Sequence, residues 1–582
     1  MNAIQTLLTD HLDLWTAADT EKKSGRGRSS GNAASVYGIR KLRELILELA
    51  VRGKLVPQDP GDEPASALLK KIAAEKSRLI AEGKIKKDKP LPAIGDEDKP
   101  FAQPPGWEWV RLGMLGEWGA GATPARGNLK YFGGDIPWFK SGELTADYIS
   151  QSEETVTELA LKECSLRANN VGDVLIAMYG ATIGKTAILS VPATTNQAVC
   201  ACTPFNGIAN RYLLLLLKAL KPNFIGQGAG GAQPNISREK IIATITALPP
   251  LEEQHRIVAK VDELMALCDH LEQQQTHSIE AHQTLVETLL GTLTRVESQQ
   301  EFSEAWTRIA SHFDTLFATE ASINQLKQTI LQLAVVGKLV QQDTNDEPAS
   351  LLLEKIAEEK KLMTEDGLIK KQIPLSPIVE GEKPLTLPDG WECVRFGTVA
   401  VIERGGSPRP INSYLTNDPD GLNWIKIGDT DQGGKYITST SEKIRREGLS
   451  KTRMVYPGDF LLTNSMSFGR PYITKIEGCI HDGWLRISPP NTVDKDYLYL
   501  LLSSPYIREA FKVAAAGAVV QNLNADKVRE LVIPIPPINE QHRIVAKVDE
   551  LMALCDALKS RLADAQATQL HLADAIVEQA VC

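Results

Sequence analysis

The chain has no hydrophobic run long enough to cross a membrane, few aromatic residues and no paired-cysteine motif. Its 582 residues are 6% aromatic and include eight cysteines, none of them in a Cys-x-x-Cys pair. The longest apolar run, 212–217, is far shorter than the roughly 18 residues that a spanning helix needs. The N-terminus lacks the basic start of a secretory signal. These absences predict a cytoplasmic protein with free, buried thiols.

Motifs for catalysis and metal binding are scarce as well. The segment GATIGKT (180–186) has one residue fewer between its glycines than a phosphate-binding loop requires, so it favours a glycine turn. The nine histidines show no metal-ligand spacing. No Asn/Asp-Pro-Pro-aromatic tetrapeptide is present to line an adenine pocket; the nearest, SPPN (488–491), ends in asparagine. The sequence therefore predicts a non-catalytic chain that binds no cofactor or metal.

What the sequence does contain is a long internal duplication. The seventeen residues EQHRIVAKVDELMALCD at 253–269 return unchanged at 540–556, an offset of 287. A second repeat, 49–76 against 333–360, is identical at 21 of 28 positions with an offset of 284. Repeats of this length determine the architecture. Two similar frames therefore carry two inserts, about 107–249 and 391–536, which are alike in length and different in sequence.

The charge of the chain is distributed unevenly between frame and inserts. A net charge of −9 argues against a general nucleic-acid binder. Residues 107–250 contain 12 Lys and Arg against 11 Asp and Glu, and residues 391–537 contain 18 against 16. The inserts are therefore +1 and +2, and the frame carries the remaining −12. Near-neutral inserts can approach phosphate without a large opposing field.

Hydrophobic periodicity predicts a helical frame and α+β inserts. Helices are expected at 1–17, at 38–51 and from about 62 to 82, with a linker at 18–35. Each insert has short β-rich runs separated by glycine and one short apolar helix, which indicates a mixed, twisted sheet. The expected runs in the first insert are 136–140, 173–179, 186–190 and 198–203, with a helix at 211–220.

Each copy of the long repeat predicts an extended amphipathic helix. Apolar residues recur at spacings of three and four, a coiled-coil seam. The predicted seam positions are Ile257, Val261, Leu264, Cys268, Leu271, Leu285 and Leu289 in the first copy, and a series from Ile544 to Ile576 that includes Leu572 in the second. A two-fold relation between the repeats would make the helices antiparallel. HFD (312–314) resembles HLD (11–13), which predicts a circularly permuted repeat with its termini close together.

Hydrogen-bonding side chains on glycine-rich loops make the inserts candidate DNA readers. Arginine and lysine read guanine, and asparagine and glutamine read adenine. The candidates in the first insert are Arg126, Lys140, Lys185, Asn196, Gln197, Gln233 and Asn235. Those in the second are Arg404, Arg409, Lys426, Arg445, Arg446, Arg470, His481, Gln521 and Asn522. Divergent loops on nearly identical frames indicate two reading heads for two different targets.

These features resemble the DNA specificity subunit of type I restriction–modification systems. The resemblance is carried by LPPLEEQHRIVAKVDELMALCD and IPPINEQHRIVAKVDELMALCD, the Gly-Trp insert openings, IPWFKSGEL (136–144) and the two-insert layout. It implies an α+β chain with two α/β target-recognition domains, joined by two long antiparallel coiled-coil helices that act as a ruler. The implied domains are 1–105 (helical), 106–250 (recognition), 251–389 (helical), 390–537 (recognition) and 538–582 (long helix).

The resemblance also implies the partners of the chain. Each recognition domain would read one half of a split double-stranded DNA target. Two methylation subunits would bring S-adenosylmethionine and modify adenine N6, and two restriction subunits would bring ATP- and Mg-dependent translocation and cleavage. The alternatives are a coiled-coil adaptor whose inserts bind protein, and a self-sufficient methyltransferase or nuclease, which the missing motifs disfavour.

Overall fold

The computed structural model describes residues 12–16, 37–87, 90–228, 235–296, 298–383, 387–431, 434–464, 469–515 and 523–581. The predicted linker at 18–35 and most of the predicted helix at 1–17 lie outside these residues. The chain forms two compact units: unit 1 is Met1–Ser278 with Gln566–Cys582, and unit 2 is Ile279–Ala565. Within the described ranges, no helix combines the length and hydrophobicity needed to cross a membrane.

The frame of unit 1 is helical, as its periodicity predicts. Its helices are Leu12–Trp15, Tyr37–Val51, Ala65–Ala81 and the first part of Leu251–Arg295, with the end of Ile538–Val581. The predicted apolar face of the second of these helices is buried through Ile39, Leu42, Ile46 and Leu49. Gly53 and Gly83 adopt positive φ after two helices, which is why glycine follows those helix ends.

Unit 2 repeats this frame. Its helices are Gln299–Ala310, Phe313–Leu316, Glu320–Val335, Ala349–Glu365, the last part of Leu251–Arg295 and the first part of Ile538–Val581. Polar contacts are repeated with the helices. Arg43 pairs with Asp269 at 2.7 Å in unit 1, and the equivalent Lys327 pairs with Asp556 in unit 2. The duplication therefore extends from sequence to side-chain contacts.

The two long helices have 45 and 44 residues, but the predicted seam is wrong at one far position in each copy, whereas the predicted Leu289 and Ile576 do pack against the cores. Leu285 and Leu572 are 50% and 52% exposed, whereas the adjacent Val286 and Ala573 are buried. An α-helix drifts by about 20° per heptad relative to a 3.5-residue repeat. Four heptads from Ile257 therefore accumulate a rotation of about 80°, close to that of one residue. The buried face moves by one position in both copies.

The first insert contains two sheets. The first has the strand order Gly116–Ala120, Val199–Pro204, Val174–Ala177, Thr186–Leu189 and Tyr148–Ile149. The second has Thr155–Val156, Phe132–Phe139 and Thr194–Thr195. Both contain antiparallel and parallel pairs, which confirms the mixed sheet. The helices are Glu158–Glu163, Asn210–Ala219, Lys221–Gly226 and Arg238–Ala243.

The second insert contains two five-stranded sheets, and one of them has the same strand order as the five-stranded sheet of the first insert. The order is Val401–Arg404, Trp484–Ser488, Phe460–Thr463, Pro471–Thr474 and Tyr436–Ile437. The other sheet is Leu415–Thr416, Glu442–Ile444, Leu422–Ile425, Gly478–Ile480 and Arg453–Val455. The helices are Phe396–Val399, Lys495–Ser503, Pro505–Ala515 and Ala525–Arg529.

Each insert leaves and rejoins its frame through a two-stranded antiparallel sheet. In unit 1, Glu108–Arg111 pairs with Ile245–Leu248. In unit 2, Glu392–Arg395 pairs with Val532–Ile535. The entry and exit of the chain are therefore side by side, and each insert packs on its own frame through a shared hydrophobic core. We refer to these two inserts as the first and second recognition domains, the name that the family resemblance implies.

The cysteines are unpaired, as predicted, among the described residues. Seven of the eight lie in the described ranges and all seven are free. Those that are buried are Cys200, Cys202, Cys268, Cys479 and Cys555. Burial raises the pKa of the Cys200 thiol to about 12, so this thiol stays protonated near neutral pH. The prediction of free and mostly buried thiols is confirmed for these seven.

Candidate nucleic-acid interface

In the first recognition domain, the candidate Lys140 follows directly after a strand that buries an aromatic residue. Trp138 is 1% exposed and donates its indole N–H to the Ala122 carbonyl at 3.1 Å. The Lys140 backbone N–H donates to Glu143 at 2.6 Å, which caps the short turn after the strand. The Lys140 ammonium is thereby held at the strand end with its side chain 28% exposed.

Two glutamates join Lys140 to a second candidate, Arg126. The Lys140 Nζ donates to Glu153 at 2.8 Å and to Glu154 at 3.1 Å. Arg126 also pairs with Glu154, and its guanidinium lies 5.0 Å from the ring centre of Trp138. Arg126 and Lys140, as hydrogen-bond donors, hold the pKa of the Glu154 carboxyl below its usual range. Glu153 and Glu154 together raise the pKa of Lys140.

The second recognition domain has the same arrangement at Lys426. IPWFKSGEL (136–144) and LNWIKIGDT (422–430) align so that Trp138 corresponds to Trp424 and Lys140 to Lys426. Trp424 is buried, and the Lys426 backbone N–H donates to Asp429 at 2.8 Å. The Lys426 Nζ lies 2.7 Å from the Glu442 carboxylate. Two domains with different sequences therefore share a lysine–glutamate pair beside a buried tryptophan.

Three candidates of the second domain line one open cavity of about 980 Å³: Arg409, Lys426 and His481. Arg409 is 81% exposed in its side chain and lies 3.4 Å from Asp482. The candidate Arg404 donates from Nε to the Asp482 carbonyl at 3.2 Å. The Ser407 hydroxyl donates to the Asp482 carboxylate and lowers its pKa, so this carboxylate stays charged. The structure thus gathers three candidates in one concave surface, and Asp482 links Arg404 to one of them, Arg409.

His481 lies in the wall of this cavity. Its ring centre is 6.3 Å from that of Trp424 and 6.2 Å from that of Trp484. The Gly483 backbone N–H donates to His481 Nδ1 at 2.7 Å. Burial lowers the pKa of the imidazole, which favours the neutral ring. The ring is therefore held in place by its own domain.

The remaining candidates are dispersed. The Asn196 backbone N–H donates to the Phe139 carbonyl at 3.0 Å, and the exposed Gln197 accepts from Thr123, so both lie near Lys140. Lys185 and Asn235 lie away from this group, beside the turn at Tyr179. Arg445, Arg446 and Arg470 are exposed, and Arg445 lines a smaller cavity with Glu442. Gln233, Gln521 and Asn522 lie outside the described residues.

The acidic partners of these cations were not among the candidates predicted from the sequence: Glu153, Glu154, Glu442 and Asp482. Both domains contain a tryptophan followed by lysine two residues later and an acid three residues after that. This pattern marks the shared turn and its capping acids, Glu143 and Asp429, but not the partners of the lysine side chains. Within the described ranges, no group of three or more His, Cys, Asp and Glu side chains could hold a metal ion.

Comparison with known proteins places these two domains in a family. A sequence profile described as the type I restriction modification DNA specificity domain matches residues 104–281 and 388–565. The EcoAI specificity subunit of Escherichia coli is 39% identical over the whole of both chains. The EcoEI specificity subunit of Escherichia coli is 37% identical, again over the whole of both chains.

Solved structures show a weaker likeness. The HsdS subunit from Thermoanaerobacter tengcongensis is 20% identical, with a TM-score of 0.39, and the match covers 83% of this chain and 98% of that one. The two profile matches and the full-length relatives together cover both inserts. This chain belongs to the family of type I restriction enzyme specificity subunits, whose role is DNA target recognition.

Proposed function

We propose that the two recognition domains each read one half of a bipartite double-stranded DNA target. The observation that carries this proposal is that one five-stranded sheet keeps the same strand order in both domains, whereas the exposed side chains differ. The first domain offers Arg126, Lys140 and Gln197, and the second offers Arg409 in the wall of its cavity and Arg404 beside Asp482. Phosphate contacts position a protein on DNA, and base contacts specify the sequence. Two different side-chain sets on one scaffold suit two different half-sites.

The long helices supply the connection between the domains in this proposal. Unit 1 contains the start of the first long helix and the end of the second, and unit 2 contains the reverse. This membership supports an antiparallel pair. A helix of 45 residues is about 68 Å long at about 1.5 Å per residue. Such a helix can separate two heads by more than one turn of B-DNA, about 34–36 Å.

Partner subunits carry the chemistry in this proposal. Two methylation subunits would supply S-adenosylmethionine and modify adenine N6, and two restriction subunits would supply ATP- and Mg-dependent cleavage, all in the cytoplasm. The duplicated frame supports two equivalent partners. Unit 1 exposes Leu267 and Leu572, and unit 2 exposes the repeat equivalents Leu554 and Leu285, all between 42% and 60%. Equal apolar positions on both units suit two copies of one partner.

Salt-dependent binding tests the proposal. The chain, assembled with its methylation subunits, is expected to select a split sequence from a randomised duplex library. Its affinity should fall steeply with salt, because each neutralised phosphate contributes about 0.9 to the slope of log K against log salt. Labelled S-adenosylmethionine should modify the selected duplex with the assembled complex and not with this chain alone. Salt-independent binding, or selection of no sequence, would favour the protein-binding adaptor.

A further inference from the structure

A lysine–glutamate pair lies at the same place in both recognition domains, beside the buried tryptophan. Lys140 pairs with Glu154 at 3.1 Å, and Lys426 pairs with Glu442 at 2.7 Å. All four side chains are between 28% and 39% exposed, so a ligand can reach them. Each pair presents one donor group and one acceptor group side by side.

The charge of these sites does not favour phosphate. In the first domain, Arg126 and Lys140 face Glu153 and Glu154, which gives a formal charge of zero. In the second, Lys426 and Glu442 also cancel. A phosphate contact gains its energy from an uncompensated cation that displaces counterions. A carboxylate beside the cation opposes that gain, whereas it does not oppose an uncharged, dipolar base edge.

The edges of the bases in the major groove differ in their donors and acceptors. Adenine presents an amino group next to the N7 acceptor, and cytosine presents an amino group next to the O6 acceptor of its paired guanine. Either edge matches a carboxylate and an ammonium side by side. The N7 and O6 edge of guanine consists of two acceptors, and it would face the carboxylate with no proton between them. The pair therefore selects for an exocyclic amino group.

We propose that Lys140 with Glu154, and Lys426 with Glu442, read an exocyclic amino group in each half-site. The carboxylate accepts from adenine N6 or cytosine N4, and the ammonium donates to the neighbouring N7 or O6. The buried Trp138 and Trp424 fix the strand ends on which the lysines lie. This inference rests on the proposed function, since it requires each domain to enter the major groove. It assigns one amino-bearing base to each half of the target.

Selection with single variants tests the assignment. The complex containing Glu154→Leu is expected to lose its preference at one base pair of one half-site, and the Glu442→Leu complex at one base pair of the other. The two variants are therefore controls for each other. Glu158→Leu and Glu447→Leu replace exposed glutamates in the same domains and should leave every preference intact. Glu154→Ala and Glu442→Ala also remove the acceptor and introduce less apolar volume, so they cover the case in which the leucine variants fold poorly.

Base analogues distinguish adenine from cytosine and need only the unaltered complex. Purine in place of adenine, or 2-pyrimidinone in place of cytosine, removes the amino group. Replacement at the assigned position should weaken binding about 5- to 150-fold, since a good base contact discriminates by about 1–3 kcal/mol. The Glu154→Leu or Glu442→Leu complex should be insensitive to the same replacement. That loss of sensitivity would couple the glutamate to the amino group of the base, which an ion pair with only a structural role would not do.

The outcomes separate this inference from the proposed function. A wild-type complex that selects no sequence overturns both. If the wild-type complex selects two half-sites and the glutamate variants keep the same base preferences, only the pair assignment is overturned. A uniform change of affinity for all sequences in Glu154→Leu and Glu442→Leu, with every base preference kept, would show that the pairs read no base and would equally overturn it. A uniform gain would assign the freed lysines to the phosphate backbone. The pair assignment is supported if each glutamate variant loses its preference at one amino-bearing base, in opposite half-sites.

Discussion

Replacement of residues 106–250 by the corresponding segment of the EcoAI specificity subunit is expected to change one half of the DNA target and to leave the other half unchanged. The graft is structurally favourable because Glu108–Arg111 and Ile245–Leu248 pair at the base of the insert. The EcoAI subunit is 39% identical over the full length, so we expect its segment to fit onto the same two-stranded junction. The new domain therefore enters and leaves the frame at adjacent points.

The expected effect is large because a new half-site mismatches the original target at several positions. Each mismatched base pair costs about 1–3 kcal/mol, so two mismatches already weaken binding to the original target by about 30-fold or more. Selection from a randomised library with the assembled complex measures both halves at once. Exchange of residues 390–537 is the matched control and should change the opposite half. A change in both halves after either exchange would contradict the model of two independent heads.

The frame was predictable because its helices repeat one simple pattern. Ile39, Leu42, Ile46 and Leu49 follow the helical period over several turns, and the helix they predict spans Tyr37–Val51. The long helices were predicted in extent but not in their buried face beyond four heptads. A seven-residue pattern keeps one buried face only where the helix supercoils to follow it. Leu285 and Leu572 are exposed because the helices keep closer to the ordinary α-helical period.

The candidate site was predictable in its cations and not in their partners. Lys140 and Lys426 follow recognisable strands, so their placement at a domain edge could be inferred. Glu154 is 14 residues away from Lys140, and only the pairing of Phe132–Phe139 with Thr155–Val156 brings the two together. The register between two strands separated by a turn cannot be read from composition or spacing. His481 was selected for its chemistry, whereas the ring is held between two tryptophans.

Replacement of Trp107 by alanine is expected to destabilise unit 1 by about 3–5 kcal/mol, the usual cost of removing a buried tryptophan. Trp107 is 1% exposed and lies where the first recognition domain begins. Its indole N–H donates to Glu253 Oε2 at 2.9 Å, in the first turn of the long helix. Gln58 donates to the other oxygen of this carboxylate at 3.2 Å. The substitution removes both the packing and one of these two donors.

A phenylalanine at position 107 separates the two contributions. Trp107→Phe retains most of the apolar volume and loses only the indole donor to Glu253, which is 1% exposed. Removing a partner from a buried polar group costs about 1–3 kcal/mol, and more when that group is charged. Burial raises the pKa of the Glu253 carboxyl in spite of its two donors, so the variant should raise it further. Denaturant titration and the pH dependence of unfolding measure these effects.

The duplication supplies an internal control for this prediction. Trp391 donates to Glu540 at 3.0 Å and Gln342 to the same carboxylate at 3.2 Å, so unit 2 contains an equivalent junction. Hydrogen exchange should show loss of protection in unit 1 for Trp107→Ala and in unit 2 for Trp391→Ala. Trp306→Ala, at a position 39% exposed, should cost less than about 1 kcal/mol. If Trp107→Ala lowers the free energy of unfolding no more than Trp306→Ala does, the buried tryptophan–glutamate contact does not stabilise the junction between the recognition domain and its helix.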